Sequence, residues 1–560
     1  MDFKNLIVEL INVENINSDE IKELLTPGVK DGQGDFCLPC FKFAKSLGKT
    51  PVALAEEIKN SFLKSDLIKD VVIIGGYVNI YLNFSKFADK IMSQILTQGD
   101  TYGACIEGAG KTICIDFSSV NIAKPFHIGH LSTTVIGGAL YKIYKFLGYN
   151  VVGINHLGDY GTQFGKLILA YKKWGSKEAV KRDKVKELVK LYVRYHKEVE
   201  TDASLDDEAR KWFKKIEHKD PESLEIFDFF KTITLAEVEK IYELLNIKFD
   251  SYNGESFYSD KMQSIIDELK SKNLLKKSND AYIVDLEEYA MPPCLILKAD
   301  GATLYATRDL AAAEYRYKTY NFYKNLYVVA YQQNLHFKQV FKVLELMGKP
   351  YAKDCEHIAF GMVSLEGGAM STRQGNFVFL EEVIDKCIEK SLSIIKEKNP
   401  NLENKEDVAK SVGVGAVIFS ALVNNRIKDI VFSYDRVLNF DGETGPYVQY
   451  TYARCNSVLN KATNFDLANY DILEPQEINL LKLLSEFGGI LKSVVAKNEP
   501  SLLTRYLIDL CKTYNKFYFD LRIITDDVEA TNKRLSLTKA VMTVLKNGLK
   551  LLGIRPVEKM

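Results

Sequence analysis

The sequence predicts an α/β core, a parallel sheet with helical insertions, with a small α+β unit ahead of it and an all-helical unit behind it. Three observations lead there. The run "TICIDF" (112 to 117) is short, β-branched and largely apolar, the pattern of a strand buried on both faces of a parallel sheet. A loop and a long apolar helical stripe follow it, and strand signals return at "LYVVAY" (326 to 331) and near "IAFGMVSL" (358 to 365). From about residue 405 onward helical periodicity dominates, and Pro and Gly become sparse. A chain of 560 residues is too long for one simple core, so roughly three to five domains are expected.

Taken in order, residues 1–92 read as the α+β unit: "VALAEEIKNSFLKS" is amphipathic and helical, and "GGYVNIYLNF" alternates like a strand. The Gly-rich stretch "TQGDTYGACIEGAGK" (97 to 111) reads as a linker. The core spans 110–400, and its middle, about 171–290, holds charged amphipathic helices such as "KVKELVKLYVRYHKEVE" that form an insertion. A connecting helical segment (401–440) leads to the C-terminal helical unit (441–560).

Composition excludes little but directs much. Acidic and basic residues balance at 74 each, which gives no support to a nucleic-acid partner except through a local basic face. No apolar run reaches membrane-spanning length, and "MDFKNLIVEL" carries no basic leader or cleavage site. A cytoplasmic protein without membrane partners is expected. The nine cysteines are scattered and odd in number, as reduced thiols are. "CLPC" (37 to 40) lacks the second ligand pair a zinc site needs and reads as two partly buried thiols.

The chemistry concentrates in "NIAKPFHIGHL" (121 to 131), which spends two of the chain's seven histidines three positions apart. In "GHLSTTVIGGALYKIYKFLG" the residues Leu131, Val135, Ile136, Leu140, Ile143, Tyr144 and Leu147 share one stripe, and Gly148 supplies a stop. His127 and His130 therefore straddle the first turn of a helix that follows a parallel strand, where nucleotides bind in doubly wound sheets. Free N–H groups and the positive dipole end suit phosphate oxygens there. Gly129, without a Cβ, lets a flat base approach the backbone. The two imidazoles can donate hydrogen bonds as charge builds at a phosphorus atom.

These residues resemble the HIGH signature of class I aminoacyl-tRNA synthetases. Together with "NHLGDYGTQFG" (155 to 165), "LYATRDLAAAEYR" (304 to 316), "YQQNLHFKQV" (331 to 340), "AMSTRQGN" (369 to 376) and "GETGPYVQYTYAR" (442 to 454), they stand in the order seen in arginyl-tRNA synthetases. The likeness covers most of the chain. It implies a Rossmann-like catalytic domain, an N-terminal additional domain touching the tRNA elbow, and a helical anticodon-binding domain. It also implies ATP-dependent activation of L-arginine and its transfer to arginine tRNA.

The same resemblance assigns residues. A guanidinium is best held by carboxylates of fixed geometry, and Asp309 with Tyr305 and Asp116 is expected to line that pocket, although some relatives carry the longer Glu at the position of Asp116. Asn121 and Gln333 match positions that hold the amino and carboxylate end of the substrate, and His156, Asp159 and Gln163 belong to a neighbouring family segment. ATP falls to Lys124, His127, Gly129, His130, Met362, Ser371 and Arg373. The second signature, usually KMSKS, is here "AMSTR": Ala369 replaces the first lysine while Ser371, Thr372 and Arg373 remain. Lys124 is the expected compensating cation. Tyr447, Tyr450, Tyr452 and Arg454, with "YNKFYFDLR" (514 to 522), interleave aromatic and basic groups as unstacked RNA bases require. ATP with Mg2+ is expected as a substrate complex, with no tightly bound metal or prosthetic group, a dependence of adenylate formation on tRNA, and a monomer. The rival readings are another class I synthetase such as cysteinyl, a small-molecule nucleotidylyltransferase, and a synthetase-like protein without catalysis. The first lacks its zinc-ligand set, the second has no use for the C-terminal domain, and the third does not explain His127, His130 and Arg373.

Overall fold

Four short strands form the central sheet: β1 (Thr112–Asp116), β2 (Asn150–Ile154), β3 (Lys324–Tyr327) and β4 (Cys355–His357). They pair in the order β4-β3-β1-β2, every pair parallel. The middle of β1, Ile113–Ile115, is apolar and buried because the strand is central and covered on both faces, the condition that selects β-branched runs in parallel sheets. The register aligns Asp116 with both Ile154 and Tyr327, and Tyr327 with His357, so the carboxyl ends finish level at one edge. From β1 the chain crosses to β2 on one side, and from β3 to β4 on the other. The loops leaving β1 and β3 part at that point and open a crevice. In this computed structural model the described residues are 3–28, 34–278, 281–299, 302–365, 378–462 and 470–560.

Helix α1 (Leu131–Phe146) returns along the sheet, and the fit is close: a Cβ on Gly137 would stand 2.2 Å from the Phe117 ring. The insertion contributes α2 (Lys177–Glu198) and α3 (Pro221–Leu244), with a three-stranded antiparallel sheet after them. Helix α4 (Tyr305–Tyr320) precedes β3 and α5 (Asn334–Leu346) follows it. The N-terminal unit is a four-stranded antiparallel sheet with helices. The C-terminal unit is built of long helices, among them α6 (Gly445–Leu459) and α7 (Ser501–Asp520).

The three parts share one apolar core that runs from Phe3 through α1 to Leu549 and Ile554, and a second cluster lies on the side of the sheet covered by α4 and α5. The expected linker is packed rather than loose: Tyr102 is buried and donates to the carbonyl of Leu484 at 2.9 Å. Cys37 and Cys40 are buried thiols. No helix among the described residues is long and apolar enough to cross a membrane.

Candidate active site

The loop leaving β1 is held in an unusual conformation. Ser118, Ser119 and Ala123 all have positive φ, which costs energy for residues with a Cβ and persists only where the surroundings dictate it. Several hydrogen bonds do so. Thr133 Oγ1 accepts from Ser118 N–H at 2.9 Å, Thr234 Oγ1 accepts from Ala123 N–H at 3.0 Å, and the Ser118 and Tyr242 hydroxyls pair at 2.8 Å. Thr234 and Tyr242 lie on α3, so the insertion buttresses this loop. Asn121 pairs with Gly158, where a Cβ would fall 2.2 Å from Asn121 Oδ1 and displace that side chain. Asn121 itself is half-buried in that loop.

His127 caps the turn Ile128–His130 that starts α1, its Nδ1 accepting from Gly129 N–H at 3.0 Å. The proton of a neutral His127 therefore sits on Nε2. His130 Nδ1 faces the backbone of His127, 3.3 Å from its N–H and 3.2 Å from its carbonyl, and the two ring centroids are 4.1 Å apart. Burial lowers the His127 pKa to about 4. Burial, and then the neighbouring His127, lowers that of His130 to about 3. Both rings are thus neutral hydrogen-bond donors at physiological pH, not cations. A reaction that uses them should show no rise in rate from their titration between about pH 5.5 and 8. His127→Asn should slow the reaction and leave the shape of its pH profile unchanged. A limb near the ordinary histidine pKa that vanishes in this variant would show that the charged ring is used.

Behind the histidines, residues 378–380 lie against residues 126–128. Ile128 N–H donates to Val378 O at 3.3 Å, Leu380 N–H donates to Phe126 O at 2.9 Å, and His127 bridges Phe379. Ala369, Ser371, Thr372 and Arg373 lie outside the described residues. Met362 is half-buried beside the short strand Val363–Leu365, its N–H donating to Asp429 at 2.7 Å. Lys124 is half-buried, and its charge is felt at both His130 and Glu255.

The second side of the crevice carries carboxylates, Asp116 and Asp309, in different surroundings. Asp116 is engaged by the chain's own guanidinium: Arg316 Nη2 lies 2.6 Å from its Oδ2, and Ser119 Oγ donates to its Oδ1 at 2.7 Å. Arg316 is fully buried and lies 5.2 Å from the Tyr327 ring centroid. Asp116 is therefore half of a buried ion pair at the crevice wall, with one oxygen on Arg316 and the other on Ser119. Asp309, on α4 two turns before Arg316, is differently placed. His336 Nε2 lies 2.6 Å from its Oδ2. Burial acts to raise the Asp309 pKa, but His336, and the charges of His156 and Arg316, outweigh it and hold the carboxyl below its usual range. A charged carboxylate at the crevice is what a guanidinium requires.

Around Asp309 stand the other expected residues. Tyr305 opens α4 and is 65% exposed. Gln333 is exposed at the start of α5, three residues before His336. His156 lies 5.5 Å from the Tyr258 ring, and its buried Nδ1 has no hydrogen-bond partner among the described residues. Burial first, and the Arg316 charge, push its pKa down. Asp159 is structural: it accepts from Lys231 at 2.9 Å and from the Ser256 N–H and hydroxyl at 2.8 and 2.7 Å. Gln163 sits half-exposed on the next helix, Thr162–Trp174.

Four residues enter that sequence reasoning passed over: Arg316, His336, Arg308 and Glu255. Arg308 lies between the rings of Tyr160 and Tyr305, 5.0 and 4.8 Å from their centroids, and 3.5 Å from Glu255. Burial pushes Glu255 up to about 7 despite that cation. A signal for His336 was available, since it is one helical turn beyond Gln333 in "YQQNLHFKQV".

On the C-terminal unit, α6 divides the expected RNA contacts between two faces. Tyr450 is 40% exposed, with Arg454 stacked at 4.9 Å from its ring and 5.3 Å from that of Tyr518. Tyr447, half-buried, accepts from Asn515 Nδ2 at 3.0 Å. Tyr452 is only 3% exposed, because two residues along a helix from Tyr450 is the opposite side, and that side faces the core. The expectation that Tyr452 contacts RNA is corrected accordingly.

Comparison with known proteins agrees along the whole chain. Residues 91–434 match the family model "tRNA synthetases class I (R), catalytic domain", residues 448–560 the "DALR anticodon binding domain", and residues 2–82 the "Arginyl tRNA synthetase N terminal domain". The arginine–tRNA ligase of Halothermothrix orenii is 52% identical, with all of both chains covered. That of Clostridioides difficile is 50% identical with the same coverage. Among solved structures, Thermus thermophilus arginyl-tRNA synthetase superposes with a TM-score of 0.82 at 25% identity over 96% of each chain. The Plasmodium falciparum enzyme does so with a TM-score of 0.79 at 25% identity, over 96% of this chain and 94% of that one.

Proposed function

The chain belongs to the class I arginyl-tRNA synthetase family and is an arginine–tRNA ligase, and on that premise we propose which of its residues perform the reaction. It activates L-arginine with ATP to arginyl-adenylate, then passes the arginyl group to the 3′ end of arginine tRNA. The observation that supports the assignment best is the pair of histidines capping the helix that follows β1, together with the Asp309 carboxylate held by His336 on a helix packed against the same strand.

Asp309 takes the guanidinium, with the Tyr305 ring against it. Asn121 and Gln333 hold the amino and carboxylate end, and His156 closes the floor. Mg-ATP enters as substrate against Lys124, Gly129, Met362 and the start of α1, joined by Ser371 and Arg373. The arginine carboxylate attacks the α-phosphorus, pyrophosphate leaves, and His127 and His130 donate hydrogen bonds to the oxygens on which charge builds. Positioning and charge stabilisation carry the step, so no protein nucleophile is needed. ATP–pyrophosphate exchange with each of the twenty amino acids, with and without tRNA, tests the reading. Exchange should respond to arginine alone and require tRNA. A response to another amino acid, cysteine included, would overturn it.

RNA recognition falls to the outer face of α6: Tyr447, Tyr450 and Arg454, beside Tyr518 and the 88% exposed Phe519. Tyr450→Ala should leave the melting temperature unchanged and weaken tRNA binding about tenfold, the loss of one stacking platform. Tyr452→Ala should do the reverse, costing about 3 kcal/mol of stability as a buried ring is removed. Thermal unfolding and tRNA titration of the two variants separate the faces. The expected site of action is the cytoplasm and the expected state a monomer; sedimentation with and without tRNA checks the second point.

A further inference from the structure

The ladder between β1 and β3 stops one hydrogen bond early, and a side chain takes the missing place. In a parallel pair the donors alternate from strand to strand. Val328 N–H donates to Asp116 O at 2.8 Å, so the next rung would run from Ser118 N–H to Val328 O. Instead Ser118 N–H donates to Thr133 Oγ1 at 2.9 Å, and that hydroxyl donates onward to Val328 O at 2.7 Å. A hydroxyl can fill this place because it donates and accepts at once. Thr133, in the first turn of α1, is thus spliced into the sheet, two bonds in series where the ladder would have one. Ser118, Thr133 and Val328 are all buried, and Ser118 has φ of +67° at this point.

Beyond the splice the two loops diverge, and each is fastened on its outer side. The β1 loop is tied toward β2: Gly158 N–H donates to Val120 O at 2.9 Å, and Ile122 N–H donates to Gly158 O at 3.1 Å. The β3 loop is tied past β4, where Tyr331 N–H donates to Phe360 O at 2.9 Å. On the inner side, where the loops face each other, they meet through the Thr133 hydroxyl. Asn121 follows Ser118 by three residues and Gln333 follows Val328 by five. We propose that Thr133 is a positioning residue, a spacer whose hydroxyl sets the distance between Asn121 and Gln333. It thereby decides how well the pocket takes the amino and carboxylate end of arginine. The proposal rests on the reading that gives that end to Asn121 and Gln333. Without the hydroxyl, Ser118 N–H and Val328 O are two buried groups in want of a partner, and a direct bond between them is the remedy. The ladder then gains a rung and the loops draw together. The guanidinium end is spared, because Asp309 and His336 hold each other from α4 and α5.

The test is calorimetric titration with arginine and with agmatine, which is arginine without its carboxylate. Wild-type enzyme should bind arginine about 100-fold more tightly than agmatine, the worth of contacts to a charged group. Thr133→Val keeps the shape and removes the hydroxyl. It should weaken arginine about tenfold and agmatine less than about twofold, so the preference shrinks to about tenfold. Retained agmatine binding shows that the variant is folded. Thr133→Ser keeps the hydroxyl and should restore the wild-type preference. Structural damage alone would weaken both ligands alike, which the comparison separates from a spacing effect. Three outcomes overturn the proposal: an unchanged preference in Thr133→Val, equal weakening of both ligands, or a Thr133→Ser enzyme that behaves as Thr133→Val does. Gln333→Ala tests the underlying reading by itself and should also lose preference. If wild-type enzyme shows no preference, or Gln333→Ala keeps it, the assignment of Asn121 and Gln333 falls and the spacer falls with it.

Discussion

Asp309→Asn will raise the KM for arginine about 100-fold, near 2.7 kcal/mol, while the KM for ATP changes little. The substitution turns a charge-assisted contact to a guanidinium into a neutral one and adds a misplaced N–H donor. His336 sharpens the expectation, because its Nε2 at 2.6 Å holds the Asp309 carboxylate in one orientation. His336→Asn should therefore raise the arginine KM by a smaller factor, about tenfold, and leave kcat nearly intact. The Asp309 carboxyl sits below its usual range, so its charge is present throughout neutral pH and is lost only in acid. Arginine affinity should accordingly be flat from about pH 6 to 8 with respect to this group. Asp116→Asn is the contrasting variant. It leaves Arg316 as an uncompensated buried guanidinium, and removal of one partner from such a pair costs about 3–5 kcal/mol of stability. Denaturant unfolding and steady-state kinetics on the two variants should give opposite patterns. Near-normal arginine kinetics in Asp309→Asn would remove it from the pocket.

Lys124→Ala should lower kcat for adenylate formation about 100-fold, as loss of one transition-state donor often does, with a much smaller change in arginine KM. The second signature lacks its first lysine, Ala369, and the triphosphate still needs that cation. Lys124 lies three residues before His127, and its charge already reaches His130. An ammonium on a flexible stem can follow phosphate oxygens as the bond to pyrophosphate breaks. Adding Ala369→Lys to the variant should restore part of the rate, since both positions would serve one charge. An unchanged exchange rate in Lys124→Ala would sink the compensation idea. A slow variant that Ala369→Lys cannot rescue would leave Lys124 important in its own right.

Much of the site was legible because its chemistry is local. The strand expected at 112–117 is β1, Thr112–Asp116, and the stop expected at Gly148 has φ of +82°. His127 falls at the start of α1 because a βα unit has one place for its loop, and strand and helix periods are written over a few residues. The strand expected at 326–331 is displaced to Lys324–Tyr327. Val328 still donates to Asp116 O at 2.8 Å, but its own carbonyl accepts from Thr133 of α1 at 2.7 Å. The chain there has already turned from the sheet toward the crevice.

What only the tertiary structure decided is which partner each polar group finds. Asp116 and Arg316 are 200 residues apart, and nothing near either in the sequence announces that they pair. Two acids with the same chemistry thus receive different tasks. Asp116 lies where α4 passes over the end of β1 and brings it a guanidinium from within the chain. Asp309 lies one layer out, where a histidine orients it. On α6, Tyr450 and Tyr452 are the same residue type, both within one turn or so of Arg454. The 3.6-residue period sends one to solvent and the other inward, but which side is inward depends on helices that pack from far along the chain. Residue type and local period determine what a side chain can do; burial and the electrostatics of distant neighbours determine whether it is left available to do it.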